Sequence, residues 1–279
     1  MEKNRELRLF AEEIRVATLK EFAHLGFGHV GGAMSVVELL AVLYGKEMKY
    51  DPKDPQMEDR DKLVMSKGHA GPALYATLAL KGFFPEEMLY TLNQGGTNLP
   101  SHCDRNKTPG VDMTTGSLGQ GISAAVGMAL GGKLSKKDYR VYAVLGDGEI
   151  AEGQVWEAAM SAAKYGLDNL CAMVDVNGLQ IDGATKDVMP SEPLDKKFEA
   201  FNWNVIHVDG HDYDALLQAF ADAAACKGKP TVLLLKTTKG KGVSFMENNA
   251  GWHGKAPNDE QYAQAKAELE AKLAELEGK

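Results

Sequence analysis

The sequence predicts an α/β fold, a doubly wound parallel sheet flanked by helices. Three observations predict it. Through the second half of the chain, short apolar runs alternate with helix-length amphipathic segments, the spacing of βαβ units. Glycine is abundant, 30 of 279 residues with no collagen period, which points to tight turns and close backbone approaches. A Gly-Asp-Gly turn follows one apolar run, and open parallel sheets carry their ligands at the carboxyl ends of such strands.

Each element follows from its residues. Over residues 4–24, Leu7, Phe10, Ala11, Ile14, Ala17 and Leu19 recur at helical spacing, and Gly26 and Gly28 end the run. A second helix is predicted from near Ser35, with Glu38 three residues on as the other half of a capping box. DPKDPQMEDRDK is a charged, Pro-bearing loop, KLVMS a short buried strand, and residues 71–81 a helix. Residues 93–117 lack periodicity, and a loop that long in a compact domain usually serves function. A helix of small residues follows over 119–134. Then come strand 140–145, helix 152–165, strands 170–176 and 203–208, helix 213–225 and strand 231–235. The tail 258–277 is a strong helix former capped by Asn258 or Asp259. With no repeat and no low-complexity linker, residues 1–279 read as one domain ending in that helix.

Composition narrows the function. Apolar residues make up 44% and charged residues 25%, ordinary for a globular protein. A formal charge of −8 argues against a general nucleic-acid binder, yet leaves room for one local phosphate pocket. Cys103, Cys171 and Cys226 are odd in number and widely spaced, which argues against a disulfide framework or zinc site and fits a reducing cytoplasm. The first residues are charged throughout, without a signal-peptide core, and residues 114–132 are too polar and Gly-broken for a membrane span.

The chemistry centres on LGDGEIAEGQVWEAAMSAAKYGLDNLCAMVDVNGLQIDG. Asp147 sits between Gly146 and Gly148 at a strand end. Asn177 follows one helix and one strand later, a single βαβ unit, so the two should lie at the ends of neighbouring strands. A carboxylate, a side-chain amide and a nearby backbone carbonyl are hard oxygen ligands suited to Mg²⁺ or Ca²⁺, with room for phosphate oxygens. The helix after Gly148 can aim N–H groups at an anion. A plain turn is the competing reading of GDG alone.

GDG followed by nearly thirty residues and an Asn resembles the thiamine-diphosphate signature. The flanking GHVGG, SKGHAGPALY, TTGSLGQGISAAVGMA and GWHG resemble transketolase in particular, over residues 5–260. The resemblance implies that Asp147, Asn177 and the Leu179 carbonyl bind the cation, and that Gly148, Glu149 and Asn177 contact the cofactor diphosphate. Gly116, Ser117 and Leu118 would run along the aminopyrimidine. His69 and His253 would flank diphosphate and thiazolium, while His29, His102 and His253 would line the sugar channel. Glu152 and Glu157 resemble acidic residues facing the other active site of a dimer; an exposed, dipole-favoured helix start is the plainer reading of both. A histidine in a Gly-rich turn is often only a surface or capping residue, and His24, His207 and His211 are read as structural. TTKGKGVSF lacks P-loop spacing, and Lys239 or Lys241 reads equally as a diphosphate contact or a solvated turn.

The resemblance also implies what is absent. In the family, the glutamate that activates the cofactor lies on a second, pyrimidine-binding domain, with most groups that hold the sugar phosphate. The chain resembles the N-terminal subunit of split transketolases. The expectation is two-carbon ketol transfer between sugar phosphates, active only with a C-terminal, pyrimidine-domain partner in a dimer of heterodimers. The alternatives are other thiamine-diphosphate enzymes, such as deoxyxylulose-phosphate synthases or ketoacid dehydrogenase α-subunits, and a non-catalytic diphosphate-binding subunit.

Overall fold

The computed structural model describes residues 4–278; residues 1–3 and Lys279 of the predicted domain lie outside the described part. Strands run in chain order as β1 (Lys62–Met65), β2 (Val141–Gly146), β3 (Leu170–Val176), β4 (Leu179–Gln180), β5 (Gly183–Ala184), β6 (Asn204–Asp209) and β7 (Thr231–Lys236). Five of them form one parallel sheet in the order β1-β2-β3-β7-β6, while β4 and β5 pair as a small antiparallel hairpin. The central strands read as nearly unbroken apolar runs because both faces of the sheet are covered.

The helices are α1 (Arg5–Leu25), α2 (Val30–Met34), α3 (Val37–Val42), α4 (Gly71–Leu80), α5 (Gln120–Leu134), α6 (Gly153–Lys164), α7 (Thr185–Val188), α8 (Leu194–Ala200), α9 (Tyr213–Ala225) and α10 (Asp259–Glu277). Side chains of β2 alternate between two cores, as strand geometry requires. Tyr142 and Val144 join Ile14, Phe22, Leu39, Leu74 and Phe220 on one face. Ala143 and Leu145 join Ile122, Val155, Phe198 and Trp203 on the other. Helices therefore cover both faces, as a doubly wound sheet demands. Among the described residues, no helix is long and apolar enough to cross a membrane.

Two sequence expectations meet different outcomes at the helix ends. Asn258 caps α10 with a full capping box: its side chain accepts from Gln261 N at 2.9 Å and the Gln261 side chain accepts from Asn258 N at 3.2 Å. Such a cap contributes about 1 kcal/mol. The Ser35–Glu38 box does not form. Ser35 Oγ instead donates to Asp175 Oδ2 at 2.6 Å, and Glu38 turns to Arg15 and His211. Buried acceptors and cations claim both side chains, and the chain breaks between α2 and α3 without a side-chain cap. Strand β6 begins one residue later than expected, because the Trp203 backbone N–H donates to the Phe198 carbonyl at 3.1 Å and closes the end of α8 instead of joining the sheet.

Candidate functional site

Parallel pairing brings the carboxyl ends of β1, β2, β3 and β7 to one edge of the sheet. There the β2–β3 register places Gly146 opposite Asp175. Asp147 and Asn177 leave adjacent strands as the βαβ spacing requires. Asp147 is buried, with Oδ1 accepting from Gly148 N at 2.8 Å and Oδ2 from Gly178 N at 2.6 Å. One carboxylate thus ties the two strand-end turns together. Burial, and then the neighbouring Asp175, push its pKa up to about 6.

Asn177 is oriented from behind. Its Nδ2 donates to Asp175 Oδ2 at 3.0 Å, while its Oδ1 accepts from Leu179 N at 3.1 Å. Asp175 is fully buried and also accepts from Ser35, Lys67 and Thr237. Burial works against its charge, but the Lys67 ammonium and these donors outweigh it and hold the carboxyl below its usual range. Breaking a buried pair of this kind costs about 3–5 kcal/mol.

A cavity of about 230 Å³ opens over these turns. Its walls include Asp147, Gly148, Asn177, Leu179 and Leu118, with Lys67, His69, Lys239 and His253 beside them. Lys239 is buried, so the solvated-turn reading of this residue is excluded. Its Nζ lies 3.3 Å from the Leu179 carbonyl and 2.8 Å from His253 Nδ1. Burial, and then Lys67, lower its pKa to about 8. Lys241 points elsewhere and pairs with Glu247 at 3.3 Å.

Four histidines from four separate loops converge beside the cavity. His29 precedes α2, His69 lies in a single helical turn after β1, His102 sits in the long loop, and His253 follows a short turn at 250–252. The His29 ring lies 5.4 Å from His69, 5.9 Å from His102 and 5.4 Å from His253; His69 and His253 are 5.1 Å apart. Gly68 allows this crowding, since a Cβ there would meet Gly116 N at 2.8 Å. Burial lowers the pKa of all four imidazoles, with Lys67 adding to the effect at His69 and His102 to that at His29. His253 is pushed down to about 3 by burial and then by Lys239. All four are neutral near pH 7, able to accept or donate a proton.

Of the other expected residues, Leu118 and Glu149 line the cavity, while Gly116, Ser117, Glu152 and Glu157 do not. Gly116 is half-buried behind His102, and Ser117 and Leu118 are exposed next to it. Glu149 lines the cavity wall, but its carboxylate is already occupied. Oε1 accepts from Gly119 N at 2.9 Å and from Ser66 Oγ, and Oε2 accepts from Gly146 N at 3.0 Å. It joins the start of α5 to the ends of β1 and β2. Glu152 and Glu157 are exposed and lie outside the cavity lining. Sequence reasoning missed Lys67 and Asp175. Both sit inside quoted motifs, Lys67 two residues before His69 and Asp175 two before Asn177; the second spacing puts both side chains on one side of extended chain, while Lys67 and His69 come together through the turn at 68–70.

The model of the transketolase thiamine diphosphate binding domain matches residues 7–275. The chain belongs to this family. It is 52% identical over 265 residues to the 6-deoxy-6-sulfo-D-fructose transketolase subunit SqwG of Clostridium sp. (strain MSTE9), covering 95% of this chain and 96% of the relative. It is 42% identical over 250 residues to one of the subunits of the apulose-4-phosphate transketolase of Phocaeicola vulgatus, covering 90% of this chain and 89% of the relative. The crystal structure of transketolase from Campylobacter jejuni superposes with a TM-score of 0.90 at 29% identity, over 99% of this chain and 46% of that one. The transketolase-family chain therefore spans most of these curated subunits and under half of the solved Campylobacter jejuni chain. It is the N-terminal, thiamine-diphosphate-binding subunit of a transketolase-type enzyme.

Proposed function

We propose that this subunit transfers a two-carbon ketol unit from a ketose to an aldose phosphate, and does so only when joined to a pyrimidine-domain chain. The observation that carries the reading is the convergence of His29, His69, His102 and His253 beside the Asp147–Asn177–Leu179 turn. Bound thiamine diphosphate supplies the carbon nucleophile that takes up and releases the ketol unit.

The residues present fit a diphosphate and its cation. Asp147, the Asn177 amide and the Leu179 carbonyl form a hard-oxygen donor set for Mg²⁺ or Ca²⁺. The raised pKa of Asp147 reflects a buried charge that a cation would stabilise, and the Lys239 ammonium already rests against the Leu179 carbonyl. Lys67 and Lys239 supply positive charge to the diphosphate side of the cavity. Leu118, with Gly116 and Ser117, offers an apolar edge for the aminopyrimidine. The imidazoles exchange protons with sugar hydroxyls, and the ammonium at His253 Nδ1 leaves Nε2–H as that ring's donor.

The anionic tail of the sugar falls to the partner chain in this reading, because Lys67 and Lys239 are already turned toward Asp175, Leu179 and His253. Donors ending in phosphate or sulfonate are both compatible with it. Leu118, Ile181, Val188 and Met189 are exposed, and the first two line the cavity. This apolar rim supports a partner closing over the cofactor, with Glu152 and Glu157 facing it in a dimer of heterodimers.

The test is reconstitution. The chain is purified alone and assayed with thiamine diphosphate, Mg²⁺ and ribose 5-phosphate, using xylulose 5-phosphate or 6-deoxy-6-sulfofructose as donor. The candidate partner is then titrated in. Activity is expected only on mixing, saturating near equal stoichiometry. Activity from the isolated chain would overturn the split-subunit reading, and silence with every donor in the complete assembly would overturn ketol transfer.

A further inference from the structure

Lys239 is carried by a loop rather than by a strand or helix, yet its ammonium is placed against two cavity groups. The backbone around it is tied down at four successive residues. Thr238 N donates to His211 Nε2 at 2.8 Å. The Lys239 carbonyl accepts from Asn248 N at 2.9 Å, and Gly240 N donates to the Gly31 carbonyl at 3.0 Å. The Lys241 carbonyl accepts from Arg15 Nε at 3.2 Å.

Two of these ties come from side chains far away in sequence, and both answer to Glu38. Glu38 Oε1 accepts from Arg15 Nη2, and Oε2 lies 3.1 Å from His211 Nδ1. Because His211 Nε2 accepts from Thr238 N–H, the ring proton sits on Nδ1, the nitrogen that faces Glu38. Arg15 Nη1 donates to Glu12 Oε1 at 2.8 Å. The loop runs directly over the guanidinium: Gly242 has φ +97°, and a Cβ there would meet Arg15 Cδ at 2.8 Å. Burial opposes the Glu38 charge, but Arg15 and His211 outweigh it and hold the carboxyl down at about 2, so the hub stays ionised.

We infer that Arg15, Glu38 and His211 form a positioning network that sets Lys239 for the diphosphate through the backbone of residues 238–241. None of the three lines the cavity. They act through Lys239, and the inference rests on the proposed diphosphate reading of that cavity. His211 is then more than a structural histidine: it fixes the residue next to Lys239.

Three variants of the chain test this, each read by amide hydrogen exchange and by titration with magnesium pyrophosphate. His211→Leu removes the acceptor for Thr238 N–H; His211→Gln keeps both an acceptor and a donor; Lys239→Met removes the ammonium. In His211→Leu, amides of residues 238–241 should exchange about fivefold faster or more, and pyrophosphate should bind about fivefold more weakly or worse, the size of one lost hydrogen bond. His211→Gln should recover most of both losses. In the Lys239→Met background, His211→Leu should cost no further affinity, because its effect passes through the missing ammonium. Unchanged exchange in His211→Leu, or losses that add to those of Lys239→Met, would overturn the inference. If His211→Leu does not fold, Arg15→Lys removes the Lys241 tie while keeping the Glu38 pair and is read the same way. A wild-type chain that ignores pyrophosphate defeats the diphosphate reading instead, and the exchange data then judge the network by itself.

Discussion

The Lys239 ammonium lies 2.8 Å from Nδ1 of His253 and adds to burial in holding that imidazole down at about 3. A cation on one ring nitrogen makes the ring neutral and leaves its proton on the other. Replacing Lys239 with Met should therefore raise the pKa of His253 above about 3, though not to its ordinary value, because burial still opposes the charged ring. Histidine NMR titration of the variant checks this, and an unmoved His253 resonance would mean that the contact does not control the ring. The same variant should weaken cofactor binding about ten- to a hundredfold, the range for losing a charged hydrogen bond.

The Asp147 carboxylate contributes the charge in the proposed cation site. Asp147→Ala should weaken Mg²⁺-dependent binding of thiamine diphosphate by more than about a hundredfold, beyond what outer-shell substitutions usually cost. Calorimetric titration in the presence of the partner chain measures it. Wild-type affinity in the variant would remove Asp147 from the site.

Proton transfer should depend on the ring cluster without depending on folding. His102→Ala and His253→Ala should each lower turnover about 10²–10⁴-fold if the ring exchanges protons with the sugar. Thermal melting and cofactor affinity should stay near wild type for His102→Ala, whose ring makes no hydrogen bond to the Asp147 turn. A loss below threefold at both positions would return them to the role of packing residues.

Acid should expose the buried rings. His253 is held near 3 in the fold and near its ordinary value of about 6.5 when unfolded, so between these limits the unfolded chain binds the extra proton. Stability from this ring is complete above that range and declines as pH falls through it. Asp147 opposes the trend: its pKa is raised to about 6, so the fold holds an extra proton there and gains as pH falls below that value. Comparing His253→Asn with wild type cancels the Asp147 contribution. The difference in melting temperature, variant minus wild type, should be more favourable to the variant at pH 5 than at pH 7. An identical difference at both would mean that His253 titrates normally in the fold.

Local sequence was informative where the physics is local. The Asn258 cap was legible because a cap and its N3 partner sit three residues apart. The Ser35–Glu38 pattern had the same spacing and failed, because Asp175 and Arg15, distant in sequence, offered buried partners that a cap could not match. Glu149 shows the same limit. The resemblance implied a diphosphate contact for it, and only the fold shows that its carboxylate also accepts from Gly119, Ser66 and Gly146.

What the sequence by itself determined is the alternation of strands and helices, the parallel sheet that follows, and the pairing of Asp147 with Asn177. One βαβ unit leaves those two residues little choice but neighbouring strand ends. The gathering of His29, His69, His102 and His253 beside one another was decided only by tertiary structure, as were the burial of Lys239, the Lys67–Asp175 pair and the tie from His211 to Thr238. The physical reason is range. Periodicity and capping report how a segment meets water and its own backbone. A buried polar group must satisfy its hydrogen bonds with whatever the fold brings within about 3 Å, and that neighbour has no fixed distance along the chain.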